Sequence, residues 1–125
     1  MAVLVPSFSI TIDDAQSELH FVALGRWDRE KLKAFNWELL RKTRVFTGHK
    51  RGFRVFGDLR EFGVQDREIT DLMRHSLEGS FSLGVERMAV VYVSELVSMQ
   101  FKQVSADVDL QTFDNELEAL AWLRS

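Results

Sequence analysis

The stretch Met88-Ala89-Val90-Val91-Tyr92-Val93 decides how the chain is to be read. Six consecutive apolar residues are far short of the roughly 20 that a membrane-spanning helix needs. They also lack the apolar-polar alternation of a strand with one wet face. The run therefore predicts a strand covered on both sides, of the kind found in the middle of a parallel sheet with helices packed above and below.

Working outward, the segments before and after this run alternate between strand and helix patterns. Upstream, Phe53 to Leu59 reads as a strand. It is followed by Ile69, Leu72, Met73, Ser76 and Leu77 at helical spacing, with the helix opening near Asp66 and Gly79 expected to end it after about three turns. Ser80 to Glu86 then reads as a connector. Downstream, Ser94 is an N-cap for a helix burying Leu96, Val97, Phe101 and Val104, and Val108 to Phe113 is a short strand. The last helix opens at Asp114 or Asn115; an Asn115 cap with Glu118 three residues on would form a capping box, and the helix docks through Leu117, Leu120, Ala121 and Trp122.

The N-terminal part departs from this alternation. Phe8, Ile10 and Ile12 alternate with Ser9, Thr11 and Asp13, as an edge strand should. The polar stretch Asp13 to Ser17 turns the chain, and Leu19 to Leu24 returns to pair with it as a hairpin. Asp28 then caps a helix whose Trp27 and Leu32 have the spacing of a hydrophobic staple, and whose Leu32, Phe35, Leu39 and Phe46 share a face, while Trp37 points away. After a Gly48 to Gly52 loop the Phe53 strand begins. The order β-β-α-β-α-β-α-β-α predicts a mainly parallel five-stranded sheet with right-handed crossovers, an N-terminal hairpin and about four helices.

Composition sets the limits. With 125 residues, 46% hydrophobic and 28% charged, a single proline and no repeat, the chain is one globular domain over 1–125. It has no Cys, so disulfides, thiolate metal sites and cysteine nucleophiles are excluded. Val3, Leu4 and Val5 precede Pro6 without a basic flank, which does not make a signal peptide, and the expectation is a cytoplasmic protein with no membrane span. The net charge of −3 speaks against nucleic acid as a partner. It is unevenly spread: residues 1–54 hold ten Lys/Arg against six Asp/Glu, and residues 55–125 hold six against thirteen. The basic stretch is Arg41, Lys42, Arg44, Lys50, Arg51 and Arg54, and acidic residues crowd 107–118. Such faces are either docking surfaces or solvated patches that offset one another.

Three strings narrow the fold: Gly57-Asp58-Leu59-Arg60, Arg87-Met88-Ala89-Val90-Val91, and Phe113 followed by Glu118-Ala119-Leu120-Ala121-Trp122-Leu123. Together with the element order they resemble the SpoIIAA-like group of STAS-type proteins over nearly the whole chain. In the anti-sigma-factor antagonists of that fold, the second helix starts with an Asp-Ser-Ser/Thr-Gly sequence whose hydroxyl is phosphorylated. Here Asp66 is followed by Arg67, Glu68 and Ile69, so the hydroxyls and glycine are missing and the phosphoswitch is not carried over; Thr70 lies one turn too late. Glu68 would put a fixed negative charge where a helix start tolerates one. The acidic first turn is equally explained as simple stabilisation of the helix.

No G-x-S-x-G, Walker A loop, G-x-G-x-x-G or H-E-x-x-H is present, and His20, His49 and His75 have no ligand spacing. The expectation is a protein that is not an enzyme and that needs no cofactor or metal. Asp58, Arg60 and Asp66 fall beyond the carboxyl ends of strands, where open α/β sheets bind ligands. With Arg67 and Glu68 they form the candidate partner-binding set. Two functions remain. The resemblance implies a non-catalytic regulatory module that binds a protein partner through this surface. The alternative is a carrier or sensor of a small apolar or amphipathic, lipid-like ligand, since the fold's wider relatives include lipid-carrying CRAL-TRIO domains and the chain has ten Phe and three Trp. A large internal cavity would favour the carrier. A homodimer joined through the edge strand near Phe8 to Ile12 and through Trp37 is a further expectation.

Overall fold

A computed structural model describes residues 5–48, 51–105 and 107–125. The expectations placed on Val3 and Leu4, on the His49 loop position and on Lys50 lie outside the described residues. The chain forms β1 (Ser7–Asp13), β2 (Glu18–Leu24), α1 (Arg29–Lys42), α2 (Arg44–Thr47), β3 (Phe53–Asp58), α3 (Arg67–Ser82), β4 (Val85–Val91), α4 (Glu95–Val104), β5 (Leu110–Phe113) and α5 (Glu116–Leu123). The five strands make one sheet in sequence order, β1-β2-β3-β4-β5. The β1–β2 pair is antiparallel and the other three are parallel. The predicted hairpin turns where the Asp13 carboxylate accepts from Gln16 N and Ser17 takes a positive φ of 53°.

Because each parallel strand is added on the same side of its predecessor, crossovers of one hand place α1, α3 and α4 over the same face. Their residues Leu32, Met73, Leu77, Val97 and Phe101 join Phe21, Phe53, Val55, Met88 and Val90 in the larger core. The opposite face is covered by α5, where Ala119 and Leu123 meet Phe56, Ala89 and Val91. The decisive stretch is thus buried from both sides, Val90 at 0% exposure and Val91 at 1%. The strand stops there, however, and Val93 is 71% exposed.

The caps are the predicted ones. Asp28, Ser94 and Asn115 accept from Lys31 N, Val97 N and Glu118 N. Other expectations are corrected. Gly79 does not end its helix: α3 continues to Ser82, absorbing much of the supposed connector, and the reversal falls to Gly84 at φ +118°. A Cβ at Gly79 would meet nothing within 4 Å, so the glycine marks open space rather than a stop. Leu96 and Leu117, expected in the core, are exposed. Each lies on the outer side of a helix whose buried stripe runs through Val97, Phe101 and Val104, or through Ala119 and Leu123. The last strand is four residues long rather than six. Phe46 is buried as predicted, but on the separate one-turn α2. Trp37 is exposed, and β1 is an edge strand.

Candidate functional site

The helices α1 and α3 run over β2, β3 and β4 without closing on them. Their inward residues Leu32, Phe35, Leu39, Met73 and Leu77 follow the spacing of a helix face. They pack with the sheet in the larger core, yet leave between them a cavity of about 470 Å³ that is partly open to solvent. Phe21, Phe53, Val55, Val85 and Met88 form its floor, and Trp27, Phe62 and Phe101 close one end. At the other end, Leu40 and Leu83 on its rim are both exposed.

Two features border this space. The first is the Phe21 ring, which lies over Gly57, its pairing partner on β3. A Cβ at Gly57 would come within 2.4 Å of the Phe21 Cζ, so only glycine leaves the ring its place. The second is the buried Gln65, whose side chain accepts from Trp27 N at 2.7 Å and donates to Gly25 O at 3.1 Å and Gly63 O at 2.8 Å. Gln100 clasps the Gln65 backbone in turn. This satisfied amide network fixes the loop carrying Trp27 against the loop carrying Phe62. Sequence reasoning missed it, because partners 35 to 40 positions apart leave no local pattern.

The polar lining is sparse. Asn36 Nδ2 donates to Ser76 Oγ at 2.9 Å, linking α1 to α3. Ser76 Oγ itself donates to Leu72 O, Thr43 Oγ1 to Leu40 O and Ser80 Oγ to Ser76 O. Among the described residues, the lining contains no Asp, Glu, Lys, Arg or His.

The five residues singled out from the sequence are placed elsewhere and are not gathered into one cluster. At the end of β3, the Asp58 carboxylate accepts from Arg60 N, Nε and Nη2 at 3.1, 3.0 and 2.8 Å. The Arg60 hydrogen bond holds Asp58 below the usual carboxylate range against the opposing effect of partial burial. Asp66 sits at the N-cap position of α3 but makes no cap bond; it pairs with Arg26. Glu68 accepts from Arg29, whose guanidinium is raised by that bond. The fixed negative charge expected at this helix start is therefore matched by two arginines from the β2–α1 segment. Arg67 is exposed. Part of the basic stretch is offset in the same way, Arg41 by Glu38 and Arg51 by Asp14.

A further ion pair lies at the opposite end of the sheet. Glu18, 1% exposed, accepts from Arg124 Nε and Nη2 at 2.8 and 2.9 Å and contacts His20 Nε2 at 2.9 Å. The Arg124 hydrogen bond lowers the Glu18 pKa despite burial. Among the described residues, no group of three or more His, Asp or Glu is placed to hold a metal ion, and no helix is long and apolar enough to cross a membrane.

No family model and no curated protein matches the sequence. Solved structures do. An uncharacterized protein from the DUF3478 family with a SpoIIAA-like fold, from Shewanella loihica PV-4, superimposes with a TM-score of 0.70 at 18% identity, covering 98% of both chains. An anti-sigma factor antagonist from Mycobacterium paratuberculosis gives a TM-score of 0.64 at 12% identity, over 95% of this chain and 96% of its own. The chain has the SpoIIAA-like, STAS-type fold that its strings and element order suggested.

Proposed function

We propose that this SpoIIAA-like domain is a non-catalytic binding module of the cytoplasm that takes up a small apolar or amphipathic molecule between α1, α3 and the sheet. The cavity carries this reading. Protein interiors pack at crystal-like density with few voids larger than water. A space of about 470 Å³ is far larger than such voids. Water entering past Leu40 and Leu83 finds few polar partners on walls of Phe, Leu, Met and Val. An engineered apolar cavity of about 150 Å³ already binds benzene. The volume here falls in the range of ligand sites, roughly 300–1,000 Å³.

The test is occupancy. The purified protein should bind a neutral, polarity-sensitive naphthylamine dye, and organic extraction should recover an apolar molecule displaced by it. Leu77→Trp, which fills the space, should abolish dye binding while keeping the melting temperature within a few degrees. Wild-type dye binding by that variant, or a wild-type protein that binds neither dye nor extractable molecule, would remove the reading.

A second reading rests on the fold shared with an anti-sigma factor antagonist and on exposed Arg67 at the start of α3. In it, the separate ion pairs of Asp58 with Arg60, Asp66 with Arg26 and Glu68 with Arg29, together with exposed Arg67, contribute to a protein-docking surface of a regulatory module that needs no phosphorylation. Arg67→Glu and Glu68→Lys should then weaken capture of a protein partner from the native cell without lowering thermal stability. Undiminished capture by both variants would send the search to another surface.

A further inference from the structure

We infer that the cavity selects an uncharged ligand carrying a hydrogen-bond donor, of the chemical type of a long-chain alcohol, and that Asn36 receives that donor; this rests on the cavity being a ligand site. A carboxylate, phosphate or ammonium head drawn in among these walls would meet no opposite charge among the described residues, and an unpaired buried ion is far more costly than a neutral polar group. Free fatty acids and phospholipid heads are therefore poor occupants, whereas hydrocarbons and neutral amphiphiles suffer no such penalty.

The few polar atoms then decide the head. Each lining hydroxyl hydrogen is already engaged: Thr43 with Leu40 O, Ser76 with Leu72 O and Ser80 with Ser76 O. Since Ser76 Oγ donates to Leu72 O, it stands as an acceptor toward Asn36. The Asn36 amide nitrogen must face it, and this fixes the orientation of the Asn36 side chain. Asn36 Oδ1 is left without a donor among the described residues. Beside one remaining Asn36 Nδ2 hydrogen, the polar lining offers acceptors, Asn36 Oδ1 the most basic among them, one turn inside the rim formed by Leu40 and Leu83. A hydroxyl head can donate to Asn36 Oδ1 and accept from the remaining Nδ2 hydrogen, whereas a carboxylate has no hydrogen to give and brings an uncompensated charge.

Decanol, decane, decanoate and decylammonium at neutral pH make the test, with binding read by dye displacement and calorimetry on the full chain. Decanol should bind at least about tenfold more tightly than either ion. Asn36→Leu should weaken decanol about three- to tenfold, the loss of one neutral hydrogen bond, and leave decane unchanged or tighter. Ser76→Ala removes the hydroxyl that orients the Asn36 amide, so it should reduce the preference for decanol over decane; it serves as the second variant should Asn36→Leu fold poorly, and an undiminished preference in it would count against Asn36 as the acceptor. Equal or tighter binding of decanoate or decylammonium overturns the inference, as does equal weakening of decane and decanol by Asn36→Leu. If decane binds but decanol has no advantage, only this inference fails. If none of the four binds, the cavity reading fails with it.

Discussion

Over the face of the sheet that α5 covers, Ala89 and Ala119 are both fully buried and let the helix lie close on Phe56 and Val91, with Leu123 at 0% exposure at its end. Over the other face, α1 and α3 stand behind Leu, Phe and Met side chains around an open space of about 470 Å³. Both faces are apolar, and both belong to the same strands. The difference lies in side-chain size at the contact, because interaxial and helix–sheet distances are set by the residues between the elements. Small residues facing each other make a seal, whereas large ones that cannot interdigitate make a chamber.

The largest effect should come from cutting into the seal. Leu123→Ala removes a fully buried side chain from a packed site and should cost about 3–5 kcal/mol. Leu77→Ala, on the wall of an existing space, loses fewer contacts and should fall near the lower limit of about 2 kcal/mol. Denaturant titration of both variants gives the comparison, and equal losses would mean that the two faces are packed alike.

Next in size is the tie that holds α5 in place. Glu18 is kept below its ordinary carboxylate range by Arg124. Its contribution is therefore complete above the ordinary Glu value and lost as pH falls from there through the lower folded value. Arg124 is 40% exposed, which reduces the pair's worth. Glu18→Gln should cost about 1.5 kcal/mol at neutral pH, the low end for a hydrogen bond to a charged group. The wild-type and variant melting temperatures should converge in acid. A gap that stays constant down to strongly acid pH would show that the carboxylate charge is not what holds the helix.

The smallest effect sharpens the contrast from the cavity side. Gly57→Ala drives a methyl into the Phe21 ring, a collision that in a packed core would cost about 1–3 kcal/mol. Here the ring can swing into open space. The expected loss is at most about 1 kcal/mol, at the favourable end of that range, together with weaker dye binding as the chamber shrinks. Ala89→Leu on the sealed face should cost more. The same pair of melting curves decides whether that order holds.

The fold was legible where local chemistry dictates it. Alternation at Phe8 to Ile12, the doubly covered Met88 to Val91, and the caps Asp28, Ser94 and Asn115 are each set by residues within a few positions of one another. Gly79 misled because a glycine ends a helix only when its conformation is needed there, and Gly84 supplied the positive φ instead. The site was far less legible. A helix face of Leu32, Phe35 and Leu39 has the same period whether it meets a packed sheet or a hollow, so periodicity predicts burial but cannot measure distance. The charges at Asp66 and Glu68 were located correctly, yet their neutralisation by Arg26 and Arg29 arises from contacts about 40 positions apart. The ten phenylalanines hinted at an apolar site. Gly57 under the Phe21 ring and the Gln65 network beside the chamber make no motif either.

The bridge from Glu18 to Arg124 spans 106 positions, so forming it before β3, β4 and β5 are in place would carry the full entropy cost of closing that loop. Closure over so long a loop belongs to the last events of folding. Until then Phe56, Ala89 and Val91 present an uncovered apolar strip on the growing sheet, the kind of transient surface through which folding chains aggregate. The α5 helix thus acts in time as well as in space. Docking it ends the period of stickiness, and loosening it should hasten unfolding while leaving the rate of folding nearly as it was.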